Sequence, residues 1–205
     1  MAERSRSVVV FDLGGVLIDW DPRHLYRKLF AGDDEAMEHF LATVCTHEWH
    51  RHHDAGRSFA EGARLLKAAH PDQAELIDAF GARADEMIAG PIPGAVEILE
   101  ELHDRGRRLY ALSNWPAESF PLARRRFAFL DRFDGILVSG EVGVIKPDPR
   151  IFQTLVERFG LAAAEAIFID DVEANVAAAR RLGFHGVRFT GAEALRAELA
   201  ALGLL

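Results

Sequence analysis

Short, wholly apolar runs recur along the chain, and each ends at polar residues or at a loop. The first is VVVF at positions 8–11, which is followed directly by Asp12. Strands that lack polar alternation are typical of a parallel sheet that is covered on both faces. On this basis we predict strands at Val8–Phe11, Leu109–Leu112, Ile136–Val138, Ala166–Ile169 and Gly186–Phe189.

Helical patterns lie between the later strands. Pro93–His103 begins with proline, and Pro149–Phe159 and Ala174–Leu182 are each followed by a glycine. Proline at the start and glycine just past the end are common helix boundaries. Alternating strands and helices predict an α/β fold with a Rossmann-like, doubly wound parallel sheet.

One interval interrupts this alternation. From about Asp21 to Gly90 the patterns are helical and no run is a convincing strand. The predicted helices are Pro22–Phe30, Asp34–Cys45, Phe59–His70 and Gln73–Ile88. We therefore predict a small helical cap, residues 21–90, inserted after the first strand of an α/β core that comprises residues 1–20 and 91–205.

Polar residues follow three of the predicted strands, and a lysine lies in the loop GVIKPDP. Ligands of open parallel sheets bind at the carboxyl ends of the strands, so these side chains are expected to lie close together. The candidate site residues are Asp12, Ser113, Asn114, Lys146, Asp170 and Asp171.

This set of residue types fits phosphoryl transfer. Asp12 and Asp171 could hold Mg²⁺, which prefers oxygen ligands and reduces the repulsion between a carboxylate and a phosphoryl group. Lys146 and the Ser113 hydroxyl could bind phosphoryl oxygens, with backbone N–H groups near Gly14 and Asn114. Asp12 would then attack phosphorus to form an aspartyl-phosphate that water hydrolyses.

Four segments resemble, in order, the motifs of the haloacid dehalogenase-like (HAD) hydrolase superfamily. FDLGGVL resembles motif I, LSN motif II, the lysine of GVIKPDP motif III, and FIDDVEAN motif IV. The resemblance implies that Asp12 is the nucleophile and that the Gly14 main-chain carbonyl and Asp171 complete a Mg²⁺ site supported by Asp170 and Asn175. It also implies a type-1 cap after motif I.

Motif I departs from the DxD pattern of most phosphatases of this superfamily, because Gly14 stands where the second aspartate donates and accepts protons. General acid–base catalysis of this kind contributes ~10²–10⁴-fold. One explanation is a substrate with an acidic leaving group, such as a sugar 1-phosphate or an acyl phosphate. The chain resembles a DxG subgroup that includes bacterial α-D-glucose-1-phosphate phosphatases, and its motif IV resembles that of the phosphatase domain of soluble epoxide hydrolases.

A second explanation places the acid on the cap. The segment THEWHRHHDAG contains four histidines and Asp54. Substrate contact, packing within a helix and metal ligation are all open for these histidines. Trp20, His50 and Arg57 are candidate substrate-binding residues, although core packing explains Trp20 equally well.

Two further functions remain as alternatives. Superfamily dehalogenases also lack the second aspartate, but they need no metal, and the pair Asp170-Asp171 disfavours a carboxylate substrate without a cation. A non-catalytic HAD-fold binding protein is the other alternative; the joint presence of Asp12, Ser113, Lys146 and Asp171 disfavours it.

Composition narrows the partners and the compartment. A net charge of −8 disfavours nucleic acid, and no apolar stretch is long enough for a membrane span. The single cysteine, Cys45, favours a reducing compartment, so we expect a cytoplasmic protein. The expected partner is a small phosphorylated metabolite, and Mg²⁺ is the expected cofactor. The sequence leaves the oligomeric state open.

Overall fold

The structure is a computed structural model that describes residues 7–205, so the first six residues of the predicted core segment 1–20 lie outside the described residues. The strands are β1 (Val8–Phe11), β2 (Ile18–Trp20), β3 (Ile88–Pro91), β4 (Arg108–Ser113), β5 (Gly135–Val138), β6 (Ala166–Asp170) and β7 (His185–Arg188). The helices are α1 (Arg23–Leu29), α2 (Asp34–Thr43), α3 (His47–Asp54), α4 (Phe59–Ala69), α5 (Ala74–Ala82), α6 (Pro93–Asp104), α7 (Phe120–Arg126), α8 (Ser139–Val142), α9 (Pro149–Phe159), α10 (Glu173–Arg181) and α11 (Ala192–Ala201).

Five strands form a parallel sheet in the order β5-β4-β1-β6-β7. The central strand β1 pairs with β4 on one side and with β6 on the other, so the chain progresses outward in both directions from β1. This reversal of strand order creates a crevice at the carboxyl end of β1. The predicted Rossmann-like α/β fold is confirmed, and the five predicted strands each lie within about one residue of those observed.

Alternate residues of each strand contribute to cores on opposite faces of the sheet. Val9 and Phe11 of β1 pack in a cluster that contains the apolar residues of α6 and α11. Val8 and Val10 pack in a second cluster with those of α9 and α10. Both faces are therefore covered, which explains why the strands carry no polar alternation.

A separate apolar cluster holds the helices between β2 and β3 together. Its members include Leu25 and Tyr26 of α1, Phe40 of α2 and Phe80 of α5. This unit connects to the core through β2 and β3, which pair with each other as an antiparallel ribbon. The exact cap boundaries, 21 and 90, stay a prediction.

The ribbon corrects the expectation that no strand lies between Asp21 and Gly90. The predicted single helix Gln73–Ile88 is instead α5, a 3₁₀ turn at Ala84–Met87, and the start of β3. β2 and β3 are only three and four residues long and depend on each other for backbone hydrogen bonds. Such short pairing leaves no periodic signal in the sequence.

Among residues 7–205, no helix has both the length and the apolar character that crossing a bilayer requires. The free Cys45 is buried in the apolar cluster of the cap.

Candidate active site

Asp12 lies at the end of the central strand and is almost completely buried. Its Oδ1 accepts hydrogen bonds from the backbone N–H of Leu13 and from the hydroxyl of Ser113, each at 2.7 Å. Its Oδ2 lies 2.9 Å from Nζ of Lys146. Burial raises the pKa of Asp12 to about 7, against the opposing effect of the Lys146 charge. A cation bound at this carboxylate would favour its ionised form.

Lys146 reaches the same point from the loop that precedes α9. Its ammonium donates to Asp170 Oδ2 at 2.7 Å and to the carbonyl of Leu112 at 2.9 Å. Burial opposes the charged form of Lys146, but the carboxylates of Asp12 and Asp170 outweigh it and raise the pKa of Lys146. Asp170 also accepts from the amide of Asn175 and from the backbone N–H of Val172. The oxygens of Asp170 are thus already engaged, which suits a role in holding Lys146.

Asp171 follows β6 and is half-buried, and burial raises its pKa. One carboxylate oxygen each of Asp12, Asp170 and Asp171 lie within 4.8 Å of one another. Lys146 is the cation among these three carboxylates, so the cluster retains an excess of negative charge. This arrangement of oxygen ligands fits Mg²⁺, with Asp12 and Asp171 as the predicted ligands because both of them line the cavity.

Gly15 lets the chain pass close to Asp171. It has a φ of +75°, and a Cβ at this position would lie 2.6 Å from Oδ2 of Asp171. Gly14 is different, since a Cβ there would meet no atom within 4 Å. The backbone at Gly14 lines the cavity, and the space beside it is open.

A cavity of about 420 Å³ extends from these residues to the cap. Asp12, Ser113, Lys146, Asp171 and Asn175 line it at the core side. Its walls beyond them are largely apolar and include Trp20, Phe59, Phe80, Met87, Ile88 and Leu122. The cavity is therefore larger than a phosphate group needs and can accommodate an organic substituent.

Trp20 and His50 form part of the cavity wall and stack on each other. Their ring centroids are 4.8 Å apart, with an angle of 14° between the planes. Burial lowers the pKa of His50 to about 3, so its imidazole is neutral at pH 7. One face of Trp20 is thus covered by His50.

Arg57 and Asn114 make internal contacts. The guanidinium of Arg57 donates to the carbonyl of Trp49 at 2.8 Å and lies over the Trp49 ring, and Arg57 is not among the described residues that line the cavity. Its substrate contact stays a prediction without geometric support. The amide of Asn114 bonds both the N–H and the carbonyl of Lys146, so Asn114 positions the lysine loop and lines the cavity at the same time.

Asp54 lines the cavity as well, although it was not among the predicted site residues. Its carboxylate is buried, and its Oδ1 lies 3.6 Å from Nε2 of His50. The two residues are four apart on α3 and share one face of that helix. The four-residue spacing of His50 and Asp54 is visible in the sequence, whereas the histidines of this segment show no such spacing among themselves.

The comparisons with known proteins agree with this geometry. The sequence profile described as haloacid dehalogenase-like hydrolase matches residues 7–183. Because the match covers most of the chain and includes the ends of β1, β4 and β6, the chain belongs to the haloacid dehalogenase-like hydrolase family. It is a HAD-like enzyme with phosphatases among its relatives.

Two curated relatives align over nearly the whole chain. A sesquiterpene phosphatase of Aspergillus oryzae is 28% identical, with 96% of each protein covered. Acyl-CoA dehydrogenase family member 10 of Mus musculus is 30% identical over 97% of this chain. The chain spans only 19% of the length of that mouse protein.

Two solved structures illustrate the fold. A HAD family enzyme of Bacteroides thetaiotaomicron, in complex with magnesium and inorganic phosphate, has a TM-score of 0.67 at 22% identity, covering 90% of this chain and 94% of that one. An L-2-haloacid dehalogenase of Xanthobacter autotrophicus has a TM-score of 0.66 at 21% identity, covering 95% and 82%. Both likenesses show the fold alone, so the reaction has to be inferred from the side chains of the site.

Proposed function

We propose that this protein is a Mg²⁺-dependent phosphatase that hydrolyses a small phosphorylated metabolite through an aspartyl-phosphate on Asp12. The observation that carries the proposal is the cluster of Asp12, Asp170 and Asp171 around Lys146. Bound Mg²⁺ would offset the charge of the phosphoryl group and of the transition state. The relatives that are phosphatases, and a fold relative that binds magnesium and phosphate, support this function.

Each residue of the site has a role in this reaction. The hydrogen bonds from Leu13 and Ser113 to Oδ1 of Asp12 fix the carboxylate, and Oδ2 is the oxygen that attacks phosphorus. Lys146 binds the phosphoryl oxygens, and the Ser113 hydroxyl turns from Asp12 to donate to one of them when the substrate is bound. Asp170, itself held by the Asn175 amide, positions Lys146. The Gly14 carbonyl and Asp171 complete the metal site.

The cluster disfavours the dehalogenase alternative. A 2-haloacid carries its own carboxylate, and Asp170 and Asp171 would repel it in the absence of a cation. A phosphoryl group, in contrast, needs both a metal site and a lysine. The presence of both, beside a buried nucleophile, also disfavours a role in binding alone.

The residues of the cavity wall indicate which class of substrate fits the site. A sugar 1-phosphate, the first expectation from the sequence, has an acidic leaving group but many hydroxyl groups that need hydrogen-bond partners. The apolar wall around Phe59, Phe80 and Met87 fits a substrate with an apolar organic part better. The relationship to a sesquiterpene phosphatase supports the same preference. A cytoplasmic location is part of the proposal.

The test is phosphate release by the purified protein with Mg²⁺ or with EDTA. The substrates are p-nitrophenyl phosphate, glucose 1-phosphate, glucose 6-phosphate, acetyl phosphate and farnesyl monophosphate, with chloroacetate assayed separately for halide. We expect turnover that requires Mg²⁺ and is lost in Asp12→Asn. Halide release that EDTA does not affect would contradict the proposal, as would turnover in Asp12→Asn near that of the wild type.

A further inference from the structure

The last residue of the cap helix α3, Asp54, lines the same cavity as Asp12. The Thr46 hydroxyl caps the start of this helix, accepting from the N–H of Trp49 at 3.1 Å. The helix ends at Asp54, and the turn that follows packs against α8 of the core. A Cβ at Gly56, which has a φ of +97°, would lie 3.4 Å from the carbonyl oxygen of Gly140. The turn that follows Asp54 is thus in van der Waals contact with α8 of the core.

Asp54 is a buried carboxylic acid, and one of its two oxygens has no hydrogen-bond donor among the described residues. It is only 5% exposed, and within residues 7–205 its Oδ1 has no hydrogen-bond partner. Asp12 and Asp170, the other buried carboxylates of the site, each accept several hydrogen bonds. An unpaired buried carboxylate is costly, so its presence in the cavity calls for a role.

The surroundings of Asp54 favour its protonated form. Burial raises its pKa to about 7, and the charge of Asp12 acts in the same direction. Lys146 and Arg51 oppose this increase. His50, its neighbour on α3, is neutral and so contributes no positive charge. Asp54 can therefore both donate and accept a proton near neutral pH.

We propose that Asp54 is the general acid–base of this enzyme, replacing from the cap the carboxylate that is missing at Gly14. The inference rests on the proposed phosphatase function. In the first step the Asp12–phosphorus bond forms while the bond from phosphorus to the leaving oxygen breaks, and the proton of Asp54 passes to that oxygen. The products are an alcohol, the aspartyl-phosphate and the Asp54 carboxylate.

The second step restores Asp54. Water attacks the phosphorus of the aspartyl-phosphate while the Asp54 carboxylate takes a proton from that water. The bond between phosphorus and Asp12 breaks with its electrons remaining on the Asp12 carboxylate. Inorganic phosphate leaves, and Asp54 is protonated again.

The test compares leaving groups in Asp54→Asn and the wild type, with Mg²⁺. An alkyl phosphate has a leaving oxygen that needs a proton, and we expect its kcat to fall ~10²–10⁴-fold. With p-nitrophenyl phosphate the leaving group departs as an anion. We therefore expect Asp54→Asn to release p-nitrophenol in a burst, with a first-turnover rate within about tenfold of the wild-type rate. Slow steady-state turnover should follow as phosphorylated Asp12 accumulates.

Two further variants sharpen this test. Glu48→Gln changes an exposed carboxylate of the same helix, and we expect wild-type rates on both substrates. Gly14→Asp places a carboxylate in the open space beside the nucleophile, and in the Asp54→Asn background we expect it to restore alkyl phosphate turnover at least tenfold.

Specific outcomes would overturn the inference. Wild-type turnover of the alkyl phosphate by Asp54→Asn would show that Asp54 transfers no proton. An equal loss of the burst and of alkyl phosphate turnover would show a structural role. Failure of the proposed function itself looks different, since the wild type would then show no Mg²⁺-dependent turnover of either substrate.

Discussion

Gly14 and Gly15, shortly after Asp12, differ in what a side chain would meet. Gly15 has a positive φ and lies against the Asp171 carboxylate, whereas Gly14 has open space beside it. Both the backbone conformation and the close approach to Asp171 thus require glycine at position 15. Packing does not require glycine at position 14, so the absence of a side chain there matters for the chemistry of the site.

This difference gives a matched pair of variants. Gly15→Ala should lower the free energy of unfolding by about 1–3 kcal/mol, because alanine is strained at positive φ. It should also weaken Mg²⁺ activation, because the new methyl group displaces Asp171. Gly14→Ala should do neither. Thermal unfolding and Mg²⁺ titration of activity measure both effects, and equal behaviour of the two variants would contradict this account.

The buried carboxyl group of Asp54 leads to a second prediction, which concerns the pH dependence of stability. A folded-state pKa of about 7, against an ordinary value of 3.8, means that its protonated form is favoured in the folded protein. Its contribution to stability is fully present below pH 3.8 and is lost as the pH rises to 7. Each pKa unit corresponds to about 1.4 kcal/mol, so the loss is on the order of a few kcal/mol.

Asp54→Asn removes this penalty. We therefore expect the variant to be more stable than the wild type at pH 8 and to lose that advantage toward pH 4. The lowered pKa of His50 destabilises the folded protein as the pH falls below 6.5. Because His50 is present in both proteins, this contribution largely cancels in the difference between their free energies of unfolding. Unfolding in denaturant without Mg²⁺, at pH 4 to 8, measures the difference. A pH-independent difference would refute the raised pKa.

At the scale of elements, helices α3 and α4 approach each other through a glycine. A Cβ at Gly62 of α4 would lie 2.1 Å from Cε1 of His53, which is fully buried on α3. His53 is held in place by a 3.0 Å hydrogen bond between its Nδ1 and the carbonyl of Arg57. The orientation of α3, and with it the position of Asp54, depends on this contact.

Gly62→Ala should therefore destabilise the protein, although alanine is the better helix former. Alanine favours a helix by up to about 1 kcal/mol, but overpacking costs about 1–3 kcal/mol. We expect a lower Tm together with a lower kcat on an alkyl phosphate, because α3 must shift. Ala60→Gly, on the exposed side of α4, should lower Tm by propensity alone and leave kcat unchanged. A Gly62→Ala variant with unchanged Tm and kcat would disprove the coupling.

At the scale of the whole molecule, the sequence predicts the sheet well because each strand is apolar on both faces. The loop motifs predict the core side of the site because the carboxyl ends of parallel strands converge. The ribbon of β2 and β3 was missed because its strands are too short for a periodic signal. The cap segment that contains Asp54 was a candidate source of the acid, but the place of Asp54 in the cavity could not be predicted. It depends on the packing of α3 on α8, and Asp54 and Ser139 are 85 positions apart in the sequence.

The proposed reaction depends on phosphorylation of the Asp12 carboxylate. Acid quenching during turnover with Mg²⁺, followed by peptide mass spectrometry, measures this step directly. We expect one phosphoryl group on Asp12, with a larger fraction trapped in Asp54→Asn and none in Asp12→Asn. Turnover that proceeds with unmodified Asp12, or a phosphoryl group trapped on another residue, would contradict the proposed reaction.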